Sequence, residues 1–264
     1  DHAVYAAAKA RICVNQTGED SLVVNADDSA VLELTRDCAA RRECYAVERP
    51  LQAGVMVVGD RIVHRTKGGD RPLIPLSAVR LSGRHLLSDV LAAGAAANLL
   101  GVSGEEMTAA VEAFNGLEHA LEAVGEVDGV RFVNDSKATN VEAAARAVES
   151  CQEPLVVILG GRFKGGDLRR LTVLLGRHAD AVVVIGEAQR QLKDAFGTVV
   201  RVLERESLPE AVQTAYGVAP PGGTVLLAPA CASLDMFPDY AERGRVFKQA
   251  VDRLREERAT TREQ

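Results

Sequence analysis

Three polar segments carry the residue types in this sequence that could do chemistry. Each follows an apolar run and precedes a predicted helix; they are residues 134–140 (NDSKATN), 160–167 (GGRFKGGD) and 229–235 (PACASLD). Because parallel strands end at the same edge of a sheet, we expect the three segments to lie together. Two lysines, several hydroxyl groups and helix N-termini at one edge are typical of a cleft for phosphates or carboxylates.

The first segment places Asp135 and Lys137 at the end of a strand, and Thr139 or Asn140 then caps the next helix. The N-terminus of a helix offers free N–H groups and the positive end of a dipole to an anion. Lys137 would add a full charge beside them. A capped turn with solvated charges has the same spacing, so spacing alone leaves both interpretations open.

The second segment is rich in glycine and contains Lys164. Glycines let the backbone approach a ligand closely, but the order of a Walker loop is missing, and a plain turn between a strand and a helix also fits. The third segment places Ser233 at a predicted helix start. It also contains Cys231, but no histidine lies in any of the three segments to activate the thiol. We therefore interpret Cys231 as a small buried side chain.

The elements that must position these segments form an alternating pattern after residue 116. Helical stretches begin near residues 140, 168, 187, 208 and 239, and they alternate with apolar runs at 130–133, 155–159, 181–185, 199–202 and 224–227. Strands that are apolar on both faces and alternate with helices predict an α/β fold with a doubly wound, mostly parallel sheet.

The first part of the chain has a different rhythm. We predict helices at 4–14, 28–35, 86–100 and 103–114, with a strand at 21–25 and short strands and hairpins between 43 and 66. Ser103 and Glu106 have the spacing of a capping box. We place the domain boundary near Leu117, which gives domains of residues 1–116 and 117–264.

Composition excludes several classes of function. The 264 residues are 47% hydrophobic and 26% charged, as in a soluble globular protein. A net charge of −6, an aromatic content of 4% and the lack of tryptophan argue against nucleic-acid binding. Five cysteines without a CxxC pair favour a reduced, cytoplasmic protein, and no apolar run is long enough to insert into a membrane. The chain begins with Asp in what resembles the middle of a helix, which favours a fragment or a processed product.

Several segments resemble motifs of the Mur ligase family, in particular of its D-glutamate-adding members. They are residues 134–140, 159–167 (LGGRFKGGD), 227–237 (LAPACASLDMF), 5–12 (YAAAKARI) and 25–28 (NADD). The resemblance covers the whole chain. It implies that residues 1–116 are part of a central ATP-binding α/β domain, and that residues 117–264 are a Rossmann-like C-terminal domain that binds D-glutamate.

The resemblance also implies an activity, which is ATP-dependent formation of the amide bond between UDP-N-acetylmuramoyl-L-alanine and D-glutamate. The reaction would pass through an acyl phosphate, use ATP and Mg²⁺, and serve peptidoglycan precursor synthesis, and with it cell shape and division. The partners would be these small molecules, and we expect a cytoplasmic monomer.

The family's site residues carry over to individual positions of this sequence. Lys9 would become carbamylated and help to hold Mg²⁺, because a carbamate is an oxygen ligand. Lys9, Lys137 and Lys164 would be catalytic, and Asp135, Lys137 and Asp89 would contact ATP. The positions around D-glutamate would be Thr139, Lys164, Ser233, Leu234 and Tyr240.

The sequence departs from the family at the ATP side. The family's GTNGK[ST]-type phosphate loop is missing from these residues, Leu86 and Asp89 stand where asparagines are common, and Ala120 stands where an arginine is common. Two alternatives therefore stay open: a related ligase with another amino-acid acceptor, such as a folylpolyglutamate synthase, or a non-catalytic binding module. We expect no catalysis from these 264 residues alone.

Overall fold

A computed structural model of the chain describes residues 2–79, 84–114, 116–151 and 153–262. The chain divides into two compact units, Asp1–Asn115 and Gly116–Gln264. Among the described residues, no helix combines the length and the apolar character that crossing a bilayer requires.

The described residues of the first unit form a five-stranded sheet and four α-helices. Its elements are α1 (His2–Ala10), β1 (Ser21–Asn25), α2 (Ser29–Leu34), β2 (Arg41–Ala46), β3 (Gly54–Val58), β4 (Arg61–Thr66), β5 (Gly69–Pro75), α3 (Arg84–Leu99) and α4 (Gly104–Ala113). The strands lie in the order β1-β2-β3-β4-β5. The first three strands are parallel, and β3, β4 and β5 form an antiparallel meander.

Local signals of the sequence explain two helix starts in this unit. Asp28 caps α2, since its carboxylate accepts hydrogen bonds from the N–H groups of Ala30 (2.9 Å) and Val31 (3.1 Å). Ser103 and Glu106 form the predicted capping box at the start of α4. The first predicted helix was too long, because α1 ends at Ala10 and the backbone tightens into a 3₁₀ turn at Arg11–Cys13.

The second unit contains a six-stranded sheet with helices on both faces. Its elements are β6 (Glu122–Val127), β7 (Val130–Asn134), α5 (Val141–Ser150), β8 (Leu155–Gly160), α6 (Arg169–His178), β9 (Ala179–Ile185), α7 (Gln189–Phe196), β10 (Arg201–Glu204), α8 (Leu208–Val218), β11 (Thr224–Leu227) and α9 (Tyr240–Arg262). The strand order is β10-β9-β8-β11-β7-β6. Every neighbouring pair is parallel except the β6–β7 hairpin, which the sequence analysis missed.

The central strand β8 shows why this sheet is buried on both sides. Alternate residues of a strand point to opposite faces. Leu155, Val157 and Leu159 pack with the core formed under α5, α6 and α7, whereas Val156 and Ile158 pack with the core formed under α8 and α9. The predicted doubly wound, mostly parallel α/β fold is confirmed.

Two predictions in this unit were wrong in detail. The strand predicted at 199–202 lies at Arg201–Glu204. No helix begins at Ser233; its carbonyl accepts from the N–H groups of Met236 (3.0 Å) and Phe237 (2.8 Å), which closes a single turn. Pro238 then prevents a longer helix, because proline lacks an N–H and disfavours helical geometry in the residue before it. The next helix, α9, starts at Tyr240.

Gly160 ends β8 in a conformation that only glycine tolerates well, with φ at +129°. A Cβ atom there would lie 2.0 Å from the carbonyl oxygen of Ile185. We expect Gly160→Ala to lower the free energy of unfolding by more than about 2 kcal/mol, since backbone strain adds to a clash with backbone. Urea unfolding of this variant would measure the loss.

Gly165→Ala is the matched control for that substitution. Gly165 also has a positive φ, +91°, but no atom lies within 4 Å of the position that its Cβ would take. Strain alone then costs about 1 kcal/mol. Equal losses in the two variants would contradict the close approach of β8 and β9 at this edge.

Candidate functional site

The three polar segments meet at the carboxyl edge of the second unit's sheet, as predicted. They follow β7, β8 and β11, and β11 lies between the other two strands. Backbone hydrogen bonds join them: Gly160 N–H donates to Pro229 O (2.9 Å) and Ala230 N–H to Ala138 O (2.9 Å). Arg162 and Ala232 exchange two further bonds, both of 2.9 Å. The three loops therefore form one continuous surface.

Lys164 and Thr139 lie in contact across two of these loops. The Nζ atom of Lys164 donates to Oγ1 of Thr139 at 3.5 Å, and the lysine side chain is exposed. Asn140 caps α5 beside them, because its Oδ1 accepts from the N–H of Ala143 at 2.9 Å. A cation, a hydroxyl group and a helix N-terminus at one place suit the carboxylate of a small molecule.

Asp135 is the buried acid of the site. Its backbone N–H donates to Leu227 O (2.8 Å), and its Oδ1 accepts from the N–H of Leu121 (3.3 Å). Burial raises the pKa of the Asp135 carboxyl to about 6, although the Leu121 hydrogen bond and the charge of Lys137 act in the opposite direction. Lys137 itself is exposed on the same loop.

The raised pKa of Asp135 predicts how stability depends on pH. The folded protein binds this proton more tightly than the unfolded chain does, because the pKa rises from 3.8 to about 6. The free energy of unfolding therefore falls as the pH rises between these values, by at most about 3 kcal/mol. Asp135→Asn should gain stability over the unsubstituted chain at pH 7.5 but not at pH 4. Urea unfolding at both pH values tests this, and a pH-independent difference would contradict it.

The other predicted acceptor positions line the third loop and the start of α9. Ser233 is buried, Leu234 is 60% exposed and Tyr240 is 40% exposed. The carbonyl of Tyr240 accepts from the hydroxyl of Ser136 at 2.7 Å, which ties α9 to the first loop. These residues thus belong to the same surface as Lys164. Among the residues that the structure describes, Thr139 is the one that forms a side-chain hydrogen bond with the lysine.

Lys9 and Asp89 belong to the first unit, whereas the three loops belong to the second unit. Lys9 is exposed on α1, with its Nζ 5.3 Å from the ring centroid of Tyr5, and Asp89 is exposed on α3. Asp89 is one of three positions that differ from the family pattern, and the other two, Leu86 and Ala120, are half-buried. Within the described ranges no group of three or more His, Cys, Asp or Glu side chains is placed to hold a metal ion. Lys9 and Asp89 therefore do not by themselves form a complete magnesium site.

Arg243 of α9 is the main site residue that the sequence analysis missed. Its side chain is buried, and it donates to one acceptor or more in each of the three loops. The bonds run to Ser136 O (2.9 Å), Ser136 Oγ (3.0 Å), Cys231 O (3.2 Å) and Gly160 O (3.4 Å). No carboxylate pairs with it among the described residues. Burial lowers its pKa to about 10, so the guanidinium stays charged at neutral pH.

A glycine inside the first turns of α9 is the sequence signal that points to this region. Gly244 follows Arg243, and a Cβ atom there would lie 2.3 Å from Nδ1 of His119. A glycine inside a helical pattern often marks a close approach. His119, whose side chain hydrogen-bonds to that of Asn134 at 2.9 Å, was also not predicted as part of the site.

Cys231 is buried beneath the loops, and burial raises the pKa of its thiol to about 12. A thiol of that pKa is not ionised at neutral pH and is a poor nucleophile. The interpretation of Cys231 as a small buried side chain is confirmed.

Comparison with known proteins shows which proteins this chain is similar to. Residues 121–231 match the family model described as "Mur ligase, glutamate ligase domain". A UDP-N-acetylmuramoylalanine--D-glutamate ligase of Acidobacterium capsulatum is 41% identical over 249 residues, which are 94% of this chain and 54% of the relative. The enzyme of the same name from Syntrophotalea carbinolica is 39% identical over 95% of this chain and 55% of the relative. The chain thus spans about half the length of these relatives.

Solved structures share the fold at lower identity. Folylpolyglutamate synthase of Mycobacterium tuberculosis, solved as a complex with ADP, matches with a TM-score of 0.69 and 19% identity over 94% of this chain and 59% of that one. The UDP-N-acetylmuramate-alanine ligase MurC of Thermotoga maritima matches with a TM-score of 0.67 and 17% identity over 97% of this chain and 56% of that one. Through its matched domain and its curated relatives, the chain belongs to the Mur ligase family.

Proposed function

We propose that this chain is part of an ATP-dependent ligase that joins D-glutamate to UDP-N-acetylmuramoyl-L-alanine in peptidoglycan precursor synthesis. The observation that carries the proposal is the contact between Lys164 and Thr139 on adjoining loops at the carboxyl edge of the sheet. Relatives of 39% and 41% identity bear the name of this reaction. We also propose that the protein acts in the cytoplasm as a monomer.

The reaction has two steps. The terminal carboxylate of the UDP-linked substrate attacks the γ-phosphorus of ATP, which forms an acyl phosphate and releases ADP. The amine of D-glutamate then attacks the acyl carbon, the new C–N bond forms, phosphate leaves with the electrons of the C–O bond, and the amine loses a proton.

Residues of the second unit would bind the acceptor. Lys164 pairs with a carboxylate of D-glutamate, Thr139 and Ser233 offer hydroxyl groups to it, and Leu234 and Tyr240 border it. A lysine presents a compact point charge, which suits a carboxylate held beside a hydroxyl group. Together these groups orient the amine toward the acyl phosphate, which is where positioning contributes most to the rate.

The nucleotide half of the site would use Asp135, Lys137 and Asp89. Lys137 offsets charge on the phosphates, as cations do in phosphoryl transfer. Mg²⁺ would supply further charge compensation, and a carbamate on Lys9 would be one oxygen ligand for it. The described residues do not make a complete magnesium site by themselves.

The decisive assay uses the protein from the complete reading frame that contains this chain. Phosphate release is measured with ATP, Mg²⁺ and the UDP-linked substrate, with and without D-glutamate. Release that depends on D-glutamate supports the proposal. A panel of other amino acids serves as the control, and preference for a different acceptor would assign the protein to another ligase of the family.

Calorimetry of ATP binding to the same protein tests the non-catalytic alternative. Ala120 and Leu86 stand where the family has ATP-contacting side chains, and they motivate that alternative. If the protein binds ATP with the affinity that is ordinary for an ATP-dependent enzyme, the non-catalytic alternative is rejected. If it neither binds ATP nor releases phosphate, that alternative is supported.

A further inference from the structure

The lead-in segment, residues 117–121 at the start of the second unit and directly before β6, is held in an unusual backbone conformation. His119 has φ of +64° and Leu121 has φ of +47°. Non-glycine residues rarely adopt the left-handed region, and they keep it only when the surrounding contacts impose it. The contacts of this lead-in segment therefore show what imposes its shape.

Both oxygens of the Glu122 carboxylate are used to hold the lead-in segment. Oε2 accepts from the backbone N–H of His119 (2.9 Å) and from Nδ2 of Asn134 (3.1 Å). Oε1 accepts from Nζ of Lys248 on α9 (2.9 Å). The side chains of Glu122 and Lys248 are only 24% and 27% exposed, so this pair is less screened by water than a surface pair.

The buried ring of His119 completes the arrangement. Nδ1 of His119 lies 2.9 Å from Nδ2 of Asn134, which can donate a hydrogen bond to it. The ring lies against Gly244 of α9, where a Cβ atom would overlap it. Asn134 Oδ1 in turn accepts from the N–H of Ser136 at 3.1 Å, so the network continues into the first polar loop.

Two hydrogen bonds connect the lead-in segment to the loop that contains Asp135 and Lys137. The N–H of Lys137 donates to His119 O (3.0 Å), and Oδ1 of Asp135 accepts from the N–H of Leu121 (3.3 Å). Each bond joins one left-handed residue of the segment to one residue of the loop. A change in the backbone at His119 or Leu121 therefore moves the anchor of Lys137 or Asp135.

We propose that Glu122, paired with Lys248, is a positioning residue for the proposed ligase reaction. It is not among the residues that we propose to contact the substrates or the nucleotide. It fixes the left-handed lead-in segment, and through that segment it sets the geometry of Asp135 and Lys137. The inference rests on the proposed function for its kinetic consequence, but its structural consequence stands without it.

The kinetic test uses Glu122→Ala, Glu122→Gln and Lys248→Met in the protein from the complete reading frame. We expect Glu122→Ala to raise KM for ATP about tenfold or more and to change KM for D-glutamate by less than about twofold, since only the nucleotide half loses its anchor. Glu122→Gln keeps an acceptor for His119 and should recover most of the loss. Equal changes in both KM values, or no change in either, would overturn the proposal.

Glu118→Ala is the matched control. Glu118 also binds Lys248, at 2.6 Å, but its side chain is 60% exposed and holds neither the His119 N–H nor Asn134. We expect its KM for ATP to stay within about twofold of the unsubstituted enzyme. A rise in KM for ATP as large as that of Glu122→Ala would overturn the proposal, because it would show that the negative charge near Lys248 matters and that the contacts of Glu122 with His119 and Asn134 do not.

Amide hydrogen exchange in the 264-residue chain provides a readout that needs no catalysis. We expect the Lys137 amide to exchange at least about tenfold faster in Glu122→Ala, while amides in the centre of β8 keep their rates. Unchanged exchange at Lys137 would overturn the positioning role even if the enzyme is active. Absence of D-glutamate-dependent phosphate release from the unsubstituted enzyme would instead reject the proposed function, so the two failures are distinguishable.

Discussion

Replacing Arg243 with methionine is expected to lower the free energy of unfolding of the second unit by about 3 kcal/mol. The substitution leaves the carbonyls of Ser136, Gly160 and Cys231 without their buried donor. Each unpaired buried acceptor costs roughly 1–3 kcal/mol, and release of a desolvated charge offsets part of the sum. Urea unfolding at pH 7.5, where Arg243 is charged, measures the net loss.

Arg243→Lys separates the geometry of the guanidinium from its charge. An ammonium has three donors on one atom and cannot reach acceptors on three loops as a planar fork does. We therefore expect lysine to recover less than half of the lost stability. Stability of the methionine variant within about 1 kcal/mol of the unsubstituted protein would contradict the idea that Arg243 holds the loops together.

Replacing Lys164 with methionine is expected to lower kcat/KM for D-glutamate about 100-fold, because one charge-assisted hydrogen bond to a carboxylate is worth up to about 3 kcal/mol. KM for ATP should stay within about twofold, since Asp135 and Lys137 lie on another loop. Steady-state phosphate release with varied D-glutamate and then varied ATP gives both constants. The measurement requires the enzyme from the complete reading frame.

Arg169→Met is the matched control for Lys164. Arg169 is an exposed cation at the start of the next helix, but it pairs with Asp167 at 2.6 Å and does not contact Thr139. We expect its effect on kcat/KM for D-glutamate to be less than about twofold. If both variants lose activity equally, the general positive charge of this edge attracts the acceptor, and Lys164 has no specific contact with it.

Much of the second unit's fold could be predicted from the sequence, because its signals are local. The runs 155–159, 181–185 and 224–227 are apolar on both faces, and only a sheet covered on both sides buries them. The polar segments follow such runs, so their common edge follows from parallel topology. Caps such as Asn140 act within three residues, which is why their helix starts were predictable.

The features that the sequence analysis did not predict lack a decisive local signal. The strand β6 has the burial pattern of a half-exposed edge, so its residues carry no continuous apolar signal. The turn after Ser233 ends at Pro238 and does not grow into a helix, although the small residues before it suit one. The left-handed backbone at His119 and Leu121 has no local signal, since neither residue is a glycine.

The sequence by itself determined that a mostly parallel sheet forms and that Lys164, Thr139 and Asp135 lie at its edge. It did not determine that β11 lies between β7 and β8. Only the tertiary structure decided how the three polar loops are held. Arg243 reaches Ser136 across 107 residues of chain, and Lys248 reaches Glu122 across 126. Contacts of that separation depend on how α9 packs against the finished sheet. Periodicity reports which face of an element is buried, but it does not report which residue it will meet there.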